Sequence, residues 1–196
     1  MKQEKLLEIK NLSVGFTSEN GVKPILNNIN LQIDKNEIVA LVGESGCGKS
    51  VTAKSIIRLL KTPPTIYMNG SIMFNDKDLL KIDEKALRKI RGNQISMIFQ
   101  EPLTSLNPVM TIGNQVGEAI SLHQKLSRKE IKEKTIEMLG KVKIPSPEKR
   151  LNSYPGQFSG GMRQRIMIAM AIACQPQLLI ADEPTTALDV TIQAQI

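Results

Sequence analysis

Residues Gly43 to Ser50, with the sequence Gly-Glu-Ser-Gly-Cys-Gly-Lys-Ser, constrain this chain most, because they match the pattern G-x-x-x-x-G-K-[ST]. The apolar run 37–42 before them predicts a short buried strand, and residues 49–60 after them predict a helix. Strand, glycine loop and helix form the context in which this pattern binds phosphate, since glycines let successive N–H groups face one anion. We therefore predict a nucleotide site in which Lys49 reaches the outer phosphates and Ser50 holds Mg²⁺.

The length and composition indicate a globular chain without a membrane-spanning segment. A chain of 196 residues can bury one substantial core and carry an inserted subdomain, and no apolar run is long enough to cross a bilayer. The amino terminus lacks a secretory apolar segment, and neither cysteine is placed for a disulfide, which favours the cytoplasm. The net charge of +7 fits nucleic acid, an anionic membrane or a solvated basic face. Because Trp is absent and aromatic residues do not interleave with basic ones, we expect no nucleic acid partner.

The first half of the chain has the pattern of a β-rich region. Apolar alternation over residues 6–14 and 25–33 predicts two antiparallel strands, and Asn69-Gly70 predicts a turn leading into a strand at 71–74. Phe16 lies near the end of the first predicted strand. It is either a core residue or a ring on which adenine stacks, and the pattern leaves both interpretations open.

The middle of the chain has a helical character. Residues 83–91 predict a helix ended by Gly92, and 94–99 predict an apolar strand that runs into Gln100. Residues 103–154 then predict a helical insertion, in which Ser127 to Glu130 is a capping-box candidate. His123 is the single histidine and has no ligand cluster around it in sequence, so we expect a surface position rather than a metal site.

Two adjacent carboxylates, Asp182 and Glu183, follow the apolar run 178–181. This places them at the carboxyl end of a predicted strand, where open parallel sheets bind ligands. Neighbouring carboxylates repel each other unless a cation separates their roles. We predict that Asp182 orients Mg²⁺ while Glu183 polarises a water for attack on the γ-phosphate.

The segment Ser159-Gly160-Gly161 opens a predicted apolar helix. It is either an ordinary capped helix or a second anion site, because free N–H groups, a helix dipole and glycines occur together there. Two helix starts that recognise phosphate suggest that one of them serves a nucleotide held mainly by another copy.

In order and spacing, five segments together resemble the ATP-binding subunits of ABC transporters: Gly43 to Ser50, Gln100-Glu-Pro, Phe158-Ser-Gly-Gly-Met162, Leu178 to Glu183 and Ala187-Leu-Asp189. The longer stretches 100–108, 158–165 and 182–195 resemble the dipeptide, oligopeptide and nickel importer branch. The resemblance implies an α/β fold with a P-loop NTPase (RecA-like) core, an antiparallel β subdomain and an inserted helical subdomain. It implies one domain, 1–196, with the core in 1–102 and 155–196 and the helical insertion in 103–154.

The resemblance also implies ATP and Mg²⁺ as ligands and a role for each matching residue. Glu183 is then the general base, and Gln100 senses the metal and the attacking water. Ser50, Gln100 and Asp182 are the residues that hold Mg²⁺. Met162 replaces the glutamine of the general signature, but methionine is familiar in this branch, so we expect no loss of function. The residues expected to contact nucleotide are Phe16, Gly43, Glu44, Ser45, Gly46, Cys47, Gly48, Lys49, Ser50 and Val51 and, toward ATP on the opposite subunit, Ser159, Gly160, Gly161, Met162 and Asp189.

The implied partners are transmembrane permease subunits, a second ATP-binding subunit in a homo- or hetero-dimer and, indirectly, an extracellular solute-binding protein. The expected location is peripheral, on the cytoplasmic face of the membrane. Two alternatives stay open: a non-transport ABC ATPase acting on nucleic acid or the ribosome, and a nucleotide-binding module without turnover. The family pattern continues past Ile196 with a strand and a histidine, so we expect a fragment in which ATP binding survives better than turnover.

Overall fold

The computed structural model of the protein describes residues 4–19, 21–101 and 105–184. The chain divides into two compact units, Met1–Leu87 and Arg88–Ile196. The glycine loop belongs to the first unit, and the carboxylate pair and the helix after Ser159 belong to the second. The division into a core and a helical insertion at 103–154 stays a prediction.

The first unit is built on a four-stranded antiparallel sheet with the order β2-β1-β3-β4. Its strands are β1 (Lys5–Ser18), β2 (Gly21–Asp34), β3 (Thr65–Phe74) and β4 (Lys77–Asp78). Leu7 lies opposite Ile33 in β2 and opposite Phe74 in β3, and both Leu7 and Phe74 are buried. The two antiparallel strands predicted around residues 6–14 and 25–33 are therefore confirmed, because alternate apolar side chains share one buried face.

The turn predicted at Asn69-Gly70 is wrong, since both residues lie inside β3. The register between β1 and β3 shifts between Lys10 and Ser13, next to Gly70. Gly70 has a φ of +100°, and a Cβ there would lie 2.6 Å from the Lys10 carbonyl oxygen. Glycine therefore serves a close approach of two strands at an irregularity, which is the other common reason for glycine in a strand.

The strand predicted at residues 37–42 is also absent, since residues 37–44 are neither helix nor strand. Ile38 is 99% exposed and Val42 is 89% exposed. A strand needs a hydrogen-bonded neighbour, and over 4–19, 21–101 and 105–184 no strand pairs with this run. The helix that follows, α1 (Lys49–Ile56), is shorter than the predicted 49–60 because the backbone turns to a positive φ of 49° at Arg58.

The second unit combines a two-stranded parallel sheet with helices. Its strands, β5 (Ile95–Ile98) and β6 (Leu178–Ala181), pair in register with Ile95 opposite Leu178. The helices are α2 (Glu84–Ile90), which runs across the boundary of the two units, α3 (Ile112–Ser121), α4 (Arg128–Lys141), the single turn α5 (Pro147–Arg150), a 3-10 turn (Pro155–Gln157) and α6 (Gly160–Ile172). The predicted strands at 94–99 and 177–181 are thus confirmed within one residue at each end.

The helices of this unit close over an apolar core. Buried side chains from β5, α3, α4 and α6 form one cluster, with Ile112, Val116, Ile120, Leu139 and Ile166 fully buried. Such a cluster is the main stabilising term in a unit of this size. It fixes α6, and hence the residues at its amino end, against the strand that leads to Gln100.

The capping box predicted at Ser127 is confirmed at the start of α4. The Glu130 N–H donates to the Ser127 hydroxyl at 3.3 Å, and the Ser127 N–H donates to the Glu130 carboxylate at 2.7 Å. Hydrogen bonding of the Glu130 carboxyl to the Ser127 side chain and, second, to the Ser127 backbone lowers the pKa of Glu130. Local chemistry alone therefore sets this helix boundary.

Candidate functional site

The glycine loop of the first unit depends on backbone conformations that favour glycine. Gly46 and Gly48 have φ values of +82° and +99°, which only glycine adopts readily, and the Cys47 N–H donates to the Glu44 carbonyl at 3.3 Å. Gly48 is the N-cap of α1, so the helix begins at Lys49, Ser50 and Val51. The loop residues predicted to contact nucleotide thus lead directly into a helix amino terminus, and the positive end of a helix dipole attracts anions.

The Lys49 ammonium group folds back over the loop. Its Nζ donates to the carbonyl oxygens of Gly43 and Glu44, at 2.7 Å each, and lies 3.8 Å from the Cys47 sulphur. An ammonium group has three donors, and here two meet carbonyl oxygens and the third meets the sulphur, which is a weak acceptor. The loop therefore positions its own positive charge.

Phe16, the predicted adenine-stacking residue, lies in β1 of the same unit. It pairs with Lys23 in β2 and with Thr65 in β3, and its side chain is half-buried. A half-buried ring on a strand suits either packing or stacking, so the role of Phe16 stays a prediction.

The carboxylate pair of the second unit lies where β6 ends. The Asp182 N–H donates to the Ile98 carbonyl at 3.0 Å, which extends the parallel ladder by one residue, and Asp182 is only 8% exposed. Glu183 is exposed, and its backbone has a positive φ of 50°. The strand thus carries Asp182 as its last paired residue and turns sharply at Glu183.

The structure brings Gln100 and Glu183 together, although 83 residues separate them. The Gln100 amide Nε2 donates to Glu183 Oε2 at 2.7 Å. Both residues follow neighbouring parallel strands, so their side chains meet at the same sheet edge. The predicted base, the predicted sensing residue and the buried Asp182 thus form one cluster.

Sequence reasoning missed Gln164, which lies in α6 and is fully buried. Its Nε2 donates to the carbonyl of Pro184, the residue that follows Glu183. A signal was available, because a glutamine three residues before the apolar stretch 167–169 falls on the buried face of the helix.

The amino end of α6 is capped by Ser159, whose hydroxyl accepts from the Met162 N–H at 3.3 Å. Gly160 is exposed, with no atom within 4 Å of the position a Cβ would take. Arg163 braces the preceding turn, since its Nε donates to the carbonyls of Pro155 and Phe158 at 2.9 Å each. This helix start is therefore rigid and open on its outer side. Asp189 lies outside the described residues.

Other features lie away from these clusters. A groove of about 650 Å³ between α3 and α4 includes Gly113, Gly117, Arg128 and Lys132 in its lining, and it shares no lining residue with the carboxylate cluster. His123 follows α3, and burial lowers its pKa. Within the described ranges no group of three or more His, Cys, Asp or Glu residues could hold a metal, and no helix has the length and apolar character to cross a bilayer.

Comparisons with known proteins agree with these motifs. A family model described as ABC transporter matches residues 26–186. The dipeptide transport ATP-binding protein DppD of Bacillus subtilis (strain 168) is 53% identical over 193 residues, which are 98% of this chain and 58% of that protein. The oligopeptide transport ATP-binding protein OppD of the same strain is 52% identical over 192 residues, which are 98% of this chain and 54% of that protein. The chain thus spans less than two thirds of the length of these relatives.

A solved structure described as the dimeric, post-hydrolysis state of an ATP-binding cassette bound to ADP and Pi resembles this chain with a TM-score of 0.87 and 29% identity. The match covers 97% of this chain and 79% of that one. It confirms the predicted mixed α/β, P-loop NTPase fold. Because the family model matches most of the chain, the chain belongs to the ABC transporter family.

Proposed function

We propose that this chain is the ATP-binding and ATP-hydrolysing part of an importer for dipeptides or oligopeptides. The observation that carries the proposal is the hydrogen bond between Gln100 and Glu183 beside the buried Asp182. An amide that holds an exposed carboxylate at a strand end is the arrangement expected of a base that activates water. The family and the names of the relatives support ATP as the substrate.

The glycine loop would bind the triphosphate. Its N–H groups and the positive end of α1 would attract the phosphates, and Lys49 would exchange its weak contact with the Cys47 sulphur for one with an outer phosphate oxygen. The two carbonyl contacts keep the ammonium group in place before and after binding. Phe16 would offer its ring to the base of the nucleotide.

The residues predicted to hold Mg²⁺ fit that ion. In the second unit, Asp182 offers a buried carboxylate and Gln100 an amide oxygen, and in the first unit Ser50 offers a hydroxyl; each is a kind of oxygen ligand that Mg²⁺ prefers. Because Gln100 donates through Nε2, the Oε1 of the same amide is the atom that would serve the metal. When bound, Mg²⁺ neutralises charge on the outer phosphates.

Glu183 would act as general base. Its Oε2 accepts from Gln100, which orients the carboxylate so that its other oxygen can take a proton from water. The exposed position of Glu183 lets a water molecule approach. The amide of Gln100 therefore selects one orientation of the base.

The amino end of α6 would complete the site of a second copy. Its exposed Ser159 and Gly160 leave the helix start open to an incoming phosphate, and the resembling cassette is described as a dimer. Gly161, Met162 and Asp189 would share this contact. The partner is a second ATP-binding subunit, identical or related.

The transport partners would be permease subunits contacted through the helical insertion, at the cytoplasmic face of the membrane. Relatives named for dipeptide and oligopeptide transport support peptides as the solute. Loss of the gene should then abolish uptake of a labelled oligopeptide and leave uptake of its free amino acids intact. Loss of nickel uptake with normal peptide uptake would contradict the peptide assignment.

The catalytic proposal is tested by two substitutions with different expected effects. Glu183→Gln should lower ATP turnover by about a hundredfold with unchanged ATP affinity, since it removes the base and keeps the side-chain shape. Lys49→Ala should weaken ATP binding by about tenfold to a hundredfold, because a charge-assisted hydrogen bond is lost. Phosphate release and binding of a fluorescent ATP analogue measure the two effects.

The matched control is Glu133→Gln, which neutralises an exposed carboxylate in α4. It should leave both turnover and affinity at the level of the unaltered chain. Equal turnover in Glu183→Gln and in the control would overturn the assignment of Glu183. Affinity that survives Lys49→Ala would overturn the loop assignment.

A further inference from the structure

We propose that Gln164 is a positioning residue that holds the backbone after Glu183 so that the carboxylate meets Gln100. The inference rests on the proposed role of Glu183 as base. It assigns no contact between Gln164 and substrate. Its function is to link α6, the helix that begins after Ser159, to the carboxylate end of β6.

The direct observation is a hydrogen bond from the Gln164 Nε2 to the Pro184 carbonyl. Gln164 is fully buried, and both residues belong to the second unit. The bond therefore forms away from solvent, where its geometry is not shared with competing water. It fixes the peptide group immediately after Glu183.

The backbone at Glu183 needs such a constraint. Glu183 has a φ of 50°, a left-handed conformation that is unfavourable for residues other than glycine. Strained backbone persists where surrounding contacts hold it, and such positions occur often at active sites. The Asp182 N–H is tied to the Ile98 carbonyl on one side of Glu183, and Gln164 holds the Pro184 carbonyl on the other.

The side chain of Glu183 is fixed by a separate bond. Gln100 donates to its carboxylate at 2.7 Å. For that distance to be kept, the Cα of Glu183 must stay in place, because the carboxylate is carried on a short side chain from that atom. The two glutamines therefore have different roles. Gln100 orients the Glu183 carboxylate, and Gln164 holds the backbone that carries it.

The second amide atom of Gln164 argues against a purely stabilising role. Its Oε1 is buried and has no hydrogen-bond partner among the residues the structure describes. A buried amide oxygen without a partner lowers stability, whereas an apolar side chain of the same shape avoids that loss. Packing alone therefore does not account for an amide at this buried position.

The test substitutes Gln164→Met, which keeps the length of the side chain and removes both amide atoms. We expect kcat for ATP hydrolysis to fall about tenfold, since small misplacement of a catalytic group costs that much or more. KM and ATP affinity should change less than about twofold, and the melting temperature should not decrease. The control Thr135→Val removes a buried hydroxyl in α4 that donates to the Ile131 carbonyl at 2.8 Å. It should lower the melting temperature without changing kcat.

A double substitution separates this inference from the proposed base. If Gln164 acts through Glu183, then Gln164→Met should cause no further loss in the Glu183→Gln background, because the two effects are not additive. A further tenfold loss in that background would overturn the inference. So would wild-type kcat in the single Gln164→Met variant of a chain that turns over ATP.

If Glu183→Gln leaves turnover unchanged, the assignment of Glu183 as base fails. If the chain shows no turnover, kinetics cannot test that assignment. In either case the rate of amide hydrogen exchange tests the positioning role of Gln164. The amide of Asp182, which donates to the Ile98 carbonyl next to Glu183, should exchange at least tenfold faster in Gln164→Met, while amides of α3 keep their rates. Unchanged exchange at Asp182 would overturn the positioning role whatever the turnover.

Discussion

The glycine loop and the carboxylate cluster are assembled in opposite ways. In the loop, the contacts of Lys49 reach back only five and six residues, to Glu44 and Gly43. In the cluster, Gln100 reaches Glu183 across 83 residues, and Gln164 reaches Pro184 across 20. The loop is therefore local structure, whereas the cluster exists only when β5, β6 and α6 have packed.

The same difference holds for the strands beside the two sites. The apolar run 37–42 before the loop is not a strand and its Ile38 is exposed, while β5 and β6 pair and Ile95 is fully buried. The loop nevertheless keeps its positive-φ glycines and its helix start. A phosphate loop thus forms its geometry without a paired strand, but a carboxylate cluster does not.

The largest effect that tests this comparison is on stability. Ile95→Ala should lower the free energy of unfolding by about 3 kcal/mol, because it leaves a cavity beside β6. Ile38→Ala should change it by less than about 0.5 kcal/mol, because the side chain is 99% exposed. Urea unfolding followed by circular dichroism measures both values.

The two isoleucine variants are matched, since each removes the same atoms from an apolar run beside a site. Equal losses of stability in both would contradict the contrast drawn here. It would mean that residues 37–42 are as well packed as β5 in solution.

Features with a local cause could be predicted from the sequence. The capping box at Ser127 and Glu130 and the cap at Ser159 are set by side chains within three residues of the backbone groups they satisfy. The helix start at Lys49 follows from Gly48.

Features that depend on contacts with residues distant in the sequence could not be predicted. Apolar character at 37–42 indicates a tendency toward burial but does not supply the neighbouring strand that burial needs. Asn69-Gly70 matches a turn dipeptide, yet the approach of β1 uses Gly70 inside a strand. The apolar spacing of α6 indicates that Gln164 is buried, but it does not indicate that the partner of its amide is the backbone carbonyl of Pro184.

The next effect concerns the loop itself. Gly48→Ala should destabilise the protein by about 1–2 kcal/mol and weaken ATP binding about tenfold, because its φ of +99° disfavours a side chain. The added Cβ would also lie 2.6 Å from the Leu26 side chain. Differential scanning calorimetry and ATP titration measure the two changes.

The control for Gly48 is Gly140, which lies within α4. No atom lies within 4 Å of the position that a Cβ would take at Gly140. Gly140→Ala should stabilise the protein by about 0.5–1 kcal/mol, since alanine loses less backbone entropy in a helix. A Gly48→Ala variant that is as stable as Gly140→Ala and binds ATP normally would show that the loop geometry does not depend on that glycine.

The smallest expected effect is on the pH dependence of stability and belongs to the second unit. Burial lowers the pKa of His123 below its usual value of 6.5, because desolvation disfavours the imidazolium. The unfolded chain then takes up a proton more readily than the folded one as pH falls. The stability associated with His123 is therefore fully present above pH 6.5 and is lost as pH falls through the lowered pKa.

His123→Gln should accordingly reduce the loss of stability between about pH 7 and pH 5, by less than about 1 kcal/mol. Urea unfolding at a series of pH values measures this difference. Nuclear magnetic resonance titration of the His123 ring gives the folded pKa independently. An unchanged pH profile in the variant, or a folded pKa above 6.5, would mean that the turn after α3 is more open to water than the packing against Gly92 indicates.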